Sequence, residues 1–318
     1  MQMMIRHLNK TLIIFSLWCW QIVASAAAAQ NPQKLTIILD WFVNPDHAPL
    51  FVAQQQGFYR DENLNVEFIT PADPADPPKL IAAGKGDLAI DYQAHFLLEA
   101  GQGLPLVHVG TLVNQPLTTL TVLASSPVQS IKDLKGKTVG VSMGGSVEEA
   151  LLKVMLERNG LKLDDVQIVR VGYSLTSALL SKKVDAVTGM LRNVELVQLR
   201  LEGQPGRAFY PEQNGFPPFA ELIIVAQNAK AHDPRIAAFL RALQKGVAYL
   251  KEHPSESWQV FAAQHPELNN EFNKQSWMTT YSYFYDQPAK LDEAQCVNVA
   301  AVLTKVMSVK IPKEACRS

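Results

Sequence analysis

The chain is short of cysteine and of net charge, and it has only one long apolar run. Its three cysteines, Cys19, Cys296 and Cys316, form no C-x-x-C pair and no metal-ligand spacing, so they support neither cysteine chemistry nor a cysteine-held metal. A formal net charge of −1 gives no electrostatic reason to expect nucleic acid or a membrane surface as partner. No basic run with interleaved aromatics appears. The one glycine-rich turn lacks the Walker lysine, which argues against a nucleotide triphosphatase. Beyond the N-terminus no apolar stretch reaches the roughly 20 residues that a membrane-spanning helix needs.

What is present begins with that apolar run. Arg6 and Lys10 precede residues 12–23, and residues 24–29 read A-S-A-A-A-A. This is the three-part pattern of a secretory signal peptide, covering 1–26 with cleavage as late as residue 29. Trp18 stands where a lipoprotein signal needs a small residue before its cysteine, so no lipid anchor is expected. The mature chain is expected to be exported and soluble. Cys296 and Cys316 then either pair, as an oxidising compartment allows, or stay as two thiols.

Twice an apolar strand-like run stops at a carboxylate and an aromatic ring. Residues 35–39 end in Asp40-Trp41, and residues 88–90 end in Asp91-Tyr92. In open α/β sheets small ligands bind at such strand ends. The alternative is that Trp41 plugs the core and Asp40 caps a turn. Asn44-Pro45-Asp46 breaks the chain before a helix-like run, and nearby His47 reads either as a ligand-linked titrating group or as a local turn contact. Four prolines within residues 71–78 forbid a regular element there, and Asp73 and Asp76 are expected to cap the helix that follows.

The strand at 138–141 runs into S-M-G-G-S-V-E-E. Ser146 and Glu149 have capping-box spacing for a helix over 147–159. Gly144, Gly145 and Ser146 either hold a small anion or carbonyl at that helix's positive end, or form an ordinary tight turn. After a strand at 185–189, Arg192, Asn193 and Glu195 cluster; Arg192 is read as a partner of Glu195 or Asp185. From residue 234 the pattern is helical, over 235–252, 255–264, 274–285 and 292–307.

Strands alternating with helices predict an α/β chain whose parallel sheets are covered by helices. The strands fall in two groups, before about residue 115 and between 138 and 190. The β-rich segments 117–124 and 221–226 bracket the second group and read as paired crossover strands between two lobes. Lobe I is expected over 30–120 and 225–318, and lobe II over 121–224. A cleft between two lobes is a usual place for a small ligand.

Several segments carry a resemblance. They are L-D-W-F-V-N-P-D-H-A-P-L-F-V-A (39–53), P-A-D-P-A-D-P-P-K-L (71–80), G-D-L-A-I-D-Y-Q (86–93), I-K-D-L-K-G-K-T-V-G (131–140), V-D-A-V-T-G-M-L-R-N-V-E (184–195) and F-L-R-A-L-Q-K-G-V-A-Y-L (239–250). The chain resembles the periplasmic binding proteins of bacterial ABC importers that carry thiamine-pyrimidine precursors, relatives of the eukaryotic thiamine-pyrimidine synthases and of the sulfonate and nitrate binding proteins. The resemblance implies a two-lobed type II periplasmic-binding fold and a ligand such as N-formyl-4-amino-5-aminomethyl-2-methylpyrimidine or a hydroxymethylpyrimidine. It also implies a periplasmic location, a monomer and an inner-membrane ABC permease as partner. Trp41 would be the stacking ring and Glu195 the acceptor for ring or amino N–H.

Leu191 departs from that pattern, standing where relatives of the formylaminopyrimidine type carry a second stacking tyrosine. With the aromatic and acidic strand ends, the expected ligand contacts are Asp40, Trp41, Asp91, Tyr92, Gly144, Gly145, Ser146, Asn193 and Glu195. The synthases use a lysine, a histidine and a C-C-C-F-C segment with iron. His95 falls at the histidine, but Asp91 replaces the lysine and residues 215–219 contain no cysteine. A binding protein without cofactor or chemistry is therefore expected. The alternatives are a carrier of another solute such as a sulfonate, and a synthase-like enzyme.

Overall fold

Among the described residues, ten strands sort into two sheets of five. The computed structural model describes residues 31–143 and 146–317. The strands are β1 (Gln33–Ile38), β2 (Leu64–Ile69), β3 (Leu88–Asp91), β4 (Leu106–Val113), β5 (Thr118–Leu123), β6 (Thr138–Val141), β7 (Gln167–Arg170), β8 (Ala186–Leu191), β9 (Gly206–Phe209) and β10 (Leu222–Gln227). The helices are α1 (Ala48–Gln55), α2 (Phe58–Asp61), α3 (Pro77–Ala82), α4 (Gln93–Gly101), α5 (Ser146–Arg158), α6 (Leu175–Leu180), α7 (Glu195–Leu201), α8 (Pro234–Glu252), α9 (Pro254–Gln264), α10 (Glu271–Thr280) and α11 (Glu293–Met307). The expected signal peptide lies outside the described residues. Among those described, no helix is long and apolar enough to cross a membrane.

The first sheet has the order β2-β1-β3-β10-β4 and the second β7-β6-β8-β5-β9. Three neighbouring strands of each sheet are parallel: β2, β1 and β3 in the first, β7, β6 and β8 in the second. The two expected crossover strands, β5 and β10, lie antiparallel to both their neighbours, so each sheet is mixed. Each is reached by a crossover from the other sheet and so enters its own in the opposite sense. The crossovers do not pair with each other as strands. The first residues of β5 and β10 also fall on the far side of the expected boundaries at 121 and 225.

Burial follows the strand positions. β5 is buried along its whole length and β10 is buried except for Gln227, as expected of strands covered on both faces. α8 buries Ile236, Phe239, Leu240, Leu243, Val247 and Leu250, the three-and-four spacing of one helix face. It lies close on α1: a Cβ at Gly246 would sit 2.6 Å from the Pro49 carbonyl oxygen. Trp258 and Trp277 are core residues, 5.6 Å apart between ring centroids. On the other face of the first sheet, one core combines α4, α11 and residues Val147, Leu151 and Val154 of α5. The two lobes therefore share packing, and Lys153 Nζ of α5 also donates to the Val306 carbonyl of α11 (2.8 Å).

Cys296 of α11 and Cys316 form a disulfide with their Cα atoms 5.5 Å apart. The bond ties the C-terminal turn back onto α11 and closes a loop with a sequence separation of 20. Reduction is expected to lower unfolding stability by about 3 kcal/mol, the chain-entropy value for a loop near this size. Urea unfolding with and without dithiothreitol measures it; equal midpoints would refute it.

Candidate functional site

A cavity of about 350 Å³ opens between the lobes, within the range of small-molecule sites. Asp40, Trp41 and Tyr92 line it from the first lobe; Ser142, Glu148, Tyr173, Leu191 and Glu195 line it from the second; Thr118 and Glu221 form its floor at the crossovers.

Asp40 lies where β1 ends. Its Oδ2 accepts the Tyr92 hydroxyl (2.7 Å) and its Oδ1 is 2.9 Å from His47 Nε2. His47 Nδ1 accepts the Asn44 backbone N–H (3.3 Å), so the imidazole proton sits on Nε2 and is donated to Asp40. His47 is fully buried and is a turn contact that holds Asp40. Asp40 thus orients the Tyr92 ring as well as facing the cavity.

The aromatic wall comes from both lobes. Trp41 is half-buried and packs on the second-lobe core as well as lining the cavity. The Tyr173 ring meets Trp41 edge-on (centroids 4.5 Å, 74°) and lies against Phe42 (4.1 Å, 34°). Tyr173 went unnoticed in the sequence because it follows β7 in an unremarkable V-G-Y-S turn. It supplies a second-lobe ring where Leu191 supplies none. The proline-rich segment holds it: the Tyr173 hydroxyl donates to the Pro71 carbonyl (2.9 Å), and Arg170 Nη2 donates to both Asp73 oxygens (2.5 and 2.7 Å).

Glu195 begins α7 and accepts the Leu191 backbone N–H at Oε2 (2.7 Å). Burial pushes its carboxyl up to about 7 against the opposing pull of backbone N–H groups, and the Glu221 and Asp40 charges push the same way. Asp46, a cavity residue that the sequence suggested only as a chain breaker, is pushed well up by burial; the Asn193 bond opposes this, and Asp40, Glu195 and Glu221 add to it. Its Oδ2 has no hydrogen-bond partner among the described residues. Asp40, Asp46, Glu148, Glu195 and Glu221 are the ionisable carboxylates of the lining, and no lysine, arginine or histidine joins them among the described residues.

Two expected contacts do not reach the cavity. Asn193 is fully buried, and its Nδ2 donates to Asp46 Oδ1 (2.6 Å) and Thr280 Oγ1 (2.8 Å), so it bolts the end of β8 to the first lobe. Asp91 lies under the wall, 2.8 Å from His95 Nδ1, while His95 Nε2 is 3.3 Å from Glu99. Burial opposes a charged His95, but the two carboxylates outweigh it and hold the imidazole up to about 10. Arg192 pairs with Glu212 (2.8 Å) and covers the Tyr210 ring (4.4 Å), not Glu195 or Asp185. Gly144 and Gly145, and the Ser146 side chain with its expected capping box, lie outside what the structure describes.

Residues 44–257 match the model of the family described as NMT1/THI5 like. The chain belongs to the NMT1/THI5-like family. One relative is a Haemophilus influenzae protein named for thiamine biosynthesis, 49% identical over 82% of this chain and 83% of its own length. Another is the formylaminopyrimidine-binding protein of Halalkalibacterium halodurans, 34% identical over 74% of this chain and 72% of its own. NMT1/THI5-like relatives also include enzymes: the 4-amino-5-hydroxymethyl-2-methylpyrimidine phosphate synthase of Legionella pneumophila is 29% identical over 81% of this chain and 82% of its own. In structure, the chain is similar to the alkanesulfonate-binding protein SsuA of Xanthomonas axonopodis, with a TM-score of 0.70, 17% identity, and 91% and 96% of the two chains covered. The fold of this NMT1/THI5-like chain is the two-lobed periplasmic-binding-protein fold.

The triad under the wall gives a stability test. The charged His95 contributes its full stabilisation through Asp91 and Glu99 below pH 6.5, and that contribution is lost as the pH climbs toward about 10. His95→Leu leaves two buried carboxylates without a cation and is expected to cost about 3–5 kcal/mol in urea unfolding at pH 7. A loss below about 1 kcal/mol would show that the triad is not a charged unit.

Proposed function

We propose that the protein is a periplasmic solute-binding protein that holds an aminopyrimidine precursor of thiamine and presents it to an inner-membrane ABC permease. The observation that carries this reading is the lining itself: aromatic rings from both lobes, five carboxylates and no described cationic side chain. An aminopyrimidine offers a flat π face to Trp41 and Tyr173 and a donor edge to Glu195 or Asp40. A hydrogen bond to an ionised acceptor is about twice as strong as a neutral one. The formylaminopyrimidine-binding relative supports the same ligand class. A ligand of about a dozen heavy atoms reaches nanomolar affinity within the ceiling of about 1.5 kcal/mol per atom.

A sulfonate, the ligand class of the structural neighbour, would bring an anion among these carboxylates with no lysine or arginine to meet it. The synthase reading finds His95 held on both ring nitrogens and outside the lining. We therefore assign binding and transport, and no catalysis.

Native mass spectrometry of the purified mature protein is expected to show a retained aminopyrimidine mass. Calorimetric titration is expected to show binding of the pyrimidine and none of an alkanesulfonate; the reverse order would overturn the assignment. Trp41→Ala is expected to weaken binding by about two- to tenfold through the lost aromatic contact, worth about 0.5–1.5 kcal/mol beyond buried area. Its loss of folding stability should be smaller than its loss of binding.

Glu195 gives the pH dependence. In the empty site it keeps its proton up to about pH 7, whereas a ligand N–H needs the carboxylate. Binding then releases that proton. Affinity is expected to rise with pH toward about 7, by up to about tenfold per unit, and to level off above it. In Glu195→Gln that limb should vanish; a limb that persists would assign it to another group.

A further inference from the structure

We infer that Glu148 is a specificity-determining residue: its carboxylate occupies the cavity's own oxyanion seat and so bars small oxyanions from it. This rests on the reading of the cavity as a solute site and deepens it.

Three donors converge where β6 ends. The Ser142 backbone N–H (2.9 Å) and hydroxyl (2.6 Å) donate to Glu148 Oε1, and the Met143 backbone N–H (3.0 Å) donates to Oε2. Two successive backbone N–H groups and a hydroxyl on one carboxylate are the donor set that an external sulfonate, phosphate or carboxylate would need. The seat belongs to the cavity, since Ser142, Met143 and Glu148 all line it. Glu148 is only 3% exposed, so the arrangement is built in.

The opposite wall is shaped for it. Gly189 of β8 has φ +99°, and a Cβ there would stand 2.5 Å from Glu148 Oε1. Any side chain at 189 would push the carboxylate off its donors. Glu148, in the first turn of α5, turns back to the strand end.

An incoming oxyanion therefore meets a filled seat and a like charge. An aminopyrimidine meets neither obstacle, because its own N–H groups seek acceptors. The same strand end thus separates a donor-bearing ring from an acceptor-bearing anion, two solute classes bound by proteins of one fold.

The test uses the mature protein, Glu148→Ala and Glu148→Gln, each titrated with sodium methanesulfonate against sodium chloride at equal ionic strength. Melting temperature and calorimetry are read, and far-UV circular dichroism checks the fold. Wild type and Glu148→Gln, whose amide oxygen still accepts from Ser142, are expected to respond no more to methanesulfonate than to chloride. Glu148→Ala is expected to bind methanesulfonate at least tenfold more tightly than wild type and to melt higher in its presence.

A folded Glu148→Ala that responds like wild type overturns the inference, as does a wild type that binds methanesulfonate as tightly as the variant. If Glu148→Ala folds poorly, its refolding yield from urea decides: methanesulfonate raises it above chloride if the seat is real, and equal yields overturn the proposal. A parallel titration of wild type with the aminopyrimidine separates the two claims, because its failure removes the pyrimidine reading while leaving the anion result legible.

Discussion

Glu221 sits at the start of the second crossover, fully buried, and takes three hydrogen bonds from the start of the first. Its Oε2 accepts the Leu117 and Thr118 backbone N–H groups (2.6 and 2.7 Å), and its Oε1 accepts the Thr118 hydroxyl (2.6 Å). Leaving such donors unmet in a buried place costs about 1–3 kcal/mol each. Burial raises the Glu221 carboxyl, and these donors pull it back. The two passages between lobes are thereby fixed to one another by a side chain, since no strand ladder joins them. Because Thr118 and Glu221 also form the cavity floor, the join and the binding site are one structure.

Above that floor, polar contacts between the lobes stand beside the packing of Trp41 and Phe42 on Tyr173. Asn193 reaches Asp46 and Thr280, Arg170 reaches Asp73, and Tyr173 reaches Pro71. The Arg170–Asp73 pair is partly exposed, and exposed pairs contribute about 0–1 kcal/mol. The Asn193 bonds, by contrast, are fully buried, and the layer shared by α4, α5 and α11 is apolar.

Much of this was legible in the residues. The runs that end at Asp40-Trp41 and Asp91-Tyr92 are strands, and segments 117–124 and 221–226 do carry the chain between sheets. What failed was non-local. Asp40 and Asp91 look alike in sequence, yet a buried imidazole and the Tyr92 hydroxyl aim Asp40 at the cavity, whereas His95 and Glu99 hold Asp91 beneath it. β9 escaped notice because its four residues are all half-buried and form no apolar run. The antiparallel sense of β5 and β10 follows from which sheet each joins, which no local pattern encodes. Glu148 and Glu149 are adjacent acids at one helix start, and only the position of β6 tells which one turns inward.

The strand orders also set a timetable. All five strands of the second sheet lie in one continuous stretch, 118–209. In the first sheet β4 touches its neighbours only through β10, which is made more than a hundred residues later. A chain growing from its N-terminus therefore holds β3 and β4 as open edges until residue 227 exists, and open edges invite wrong pairing. The lobe that begins first is the one that closes last, after the inserted lobe can already stand complete. Closure brings β10 and the Glu221 join into place together, so the first sheet becomes whole at the moment the cavity acquires its floor.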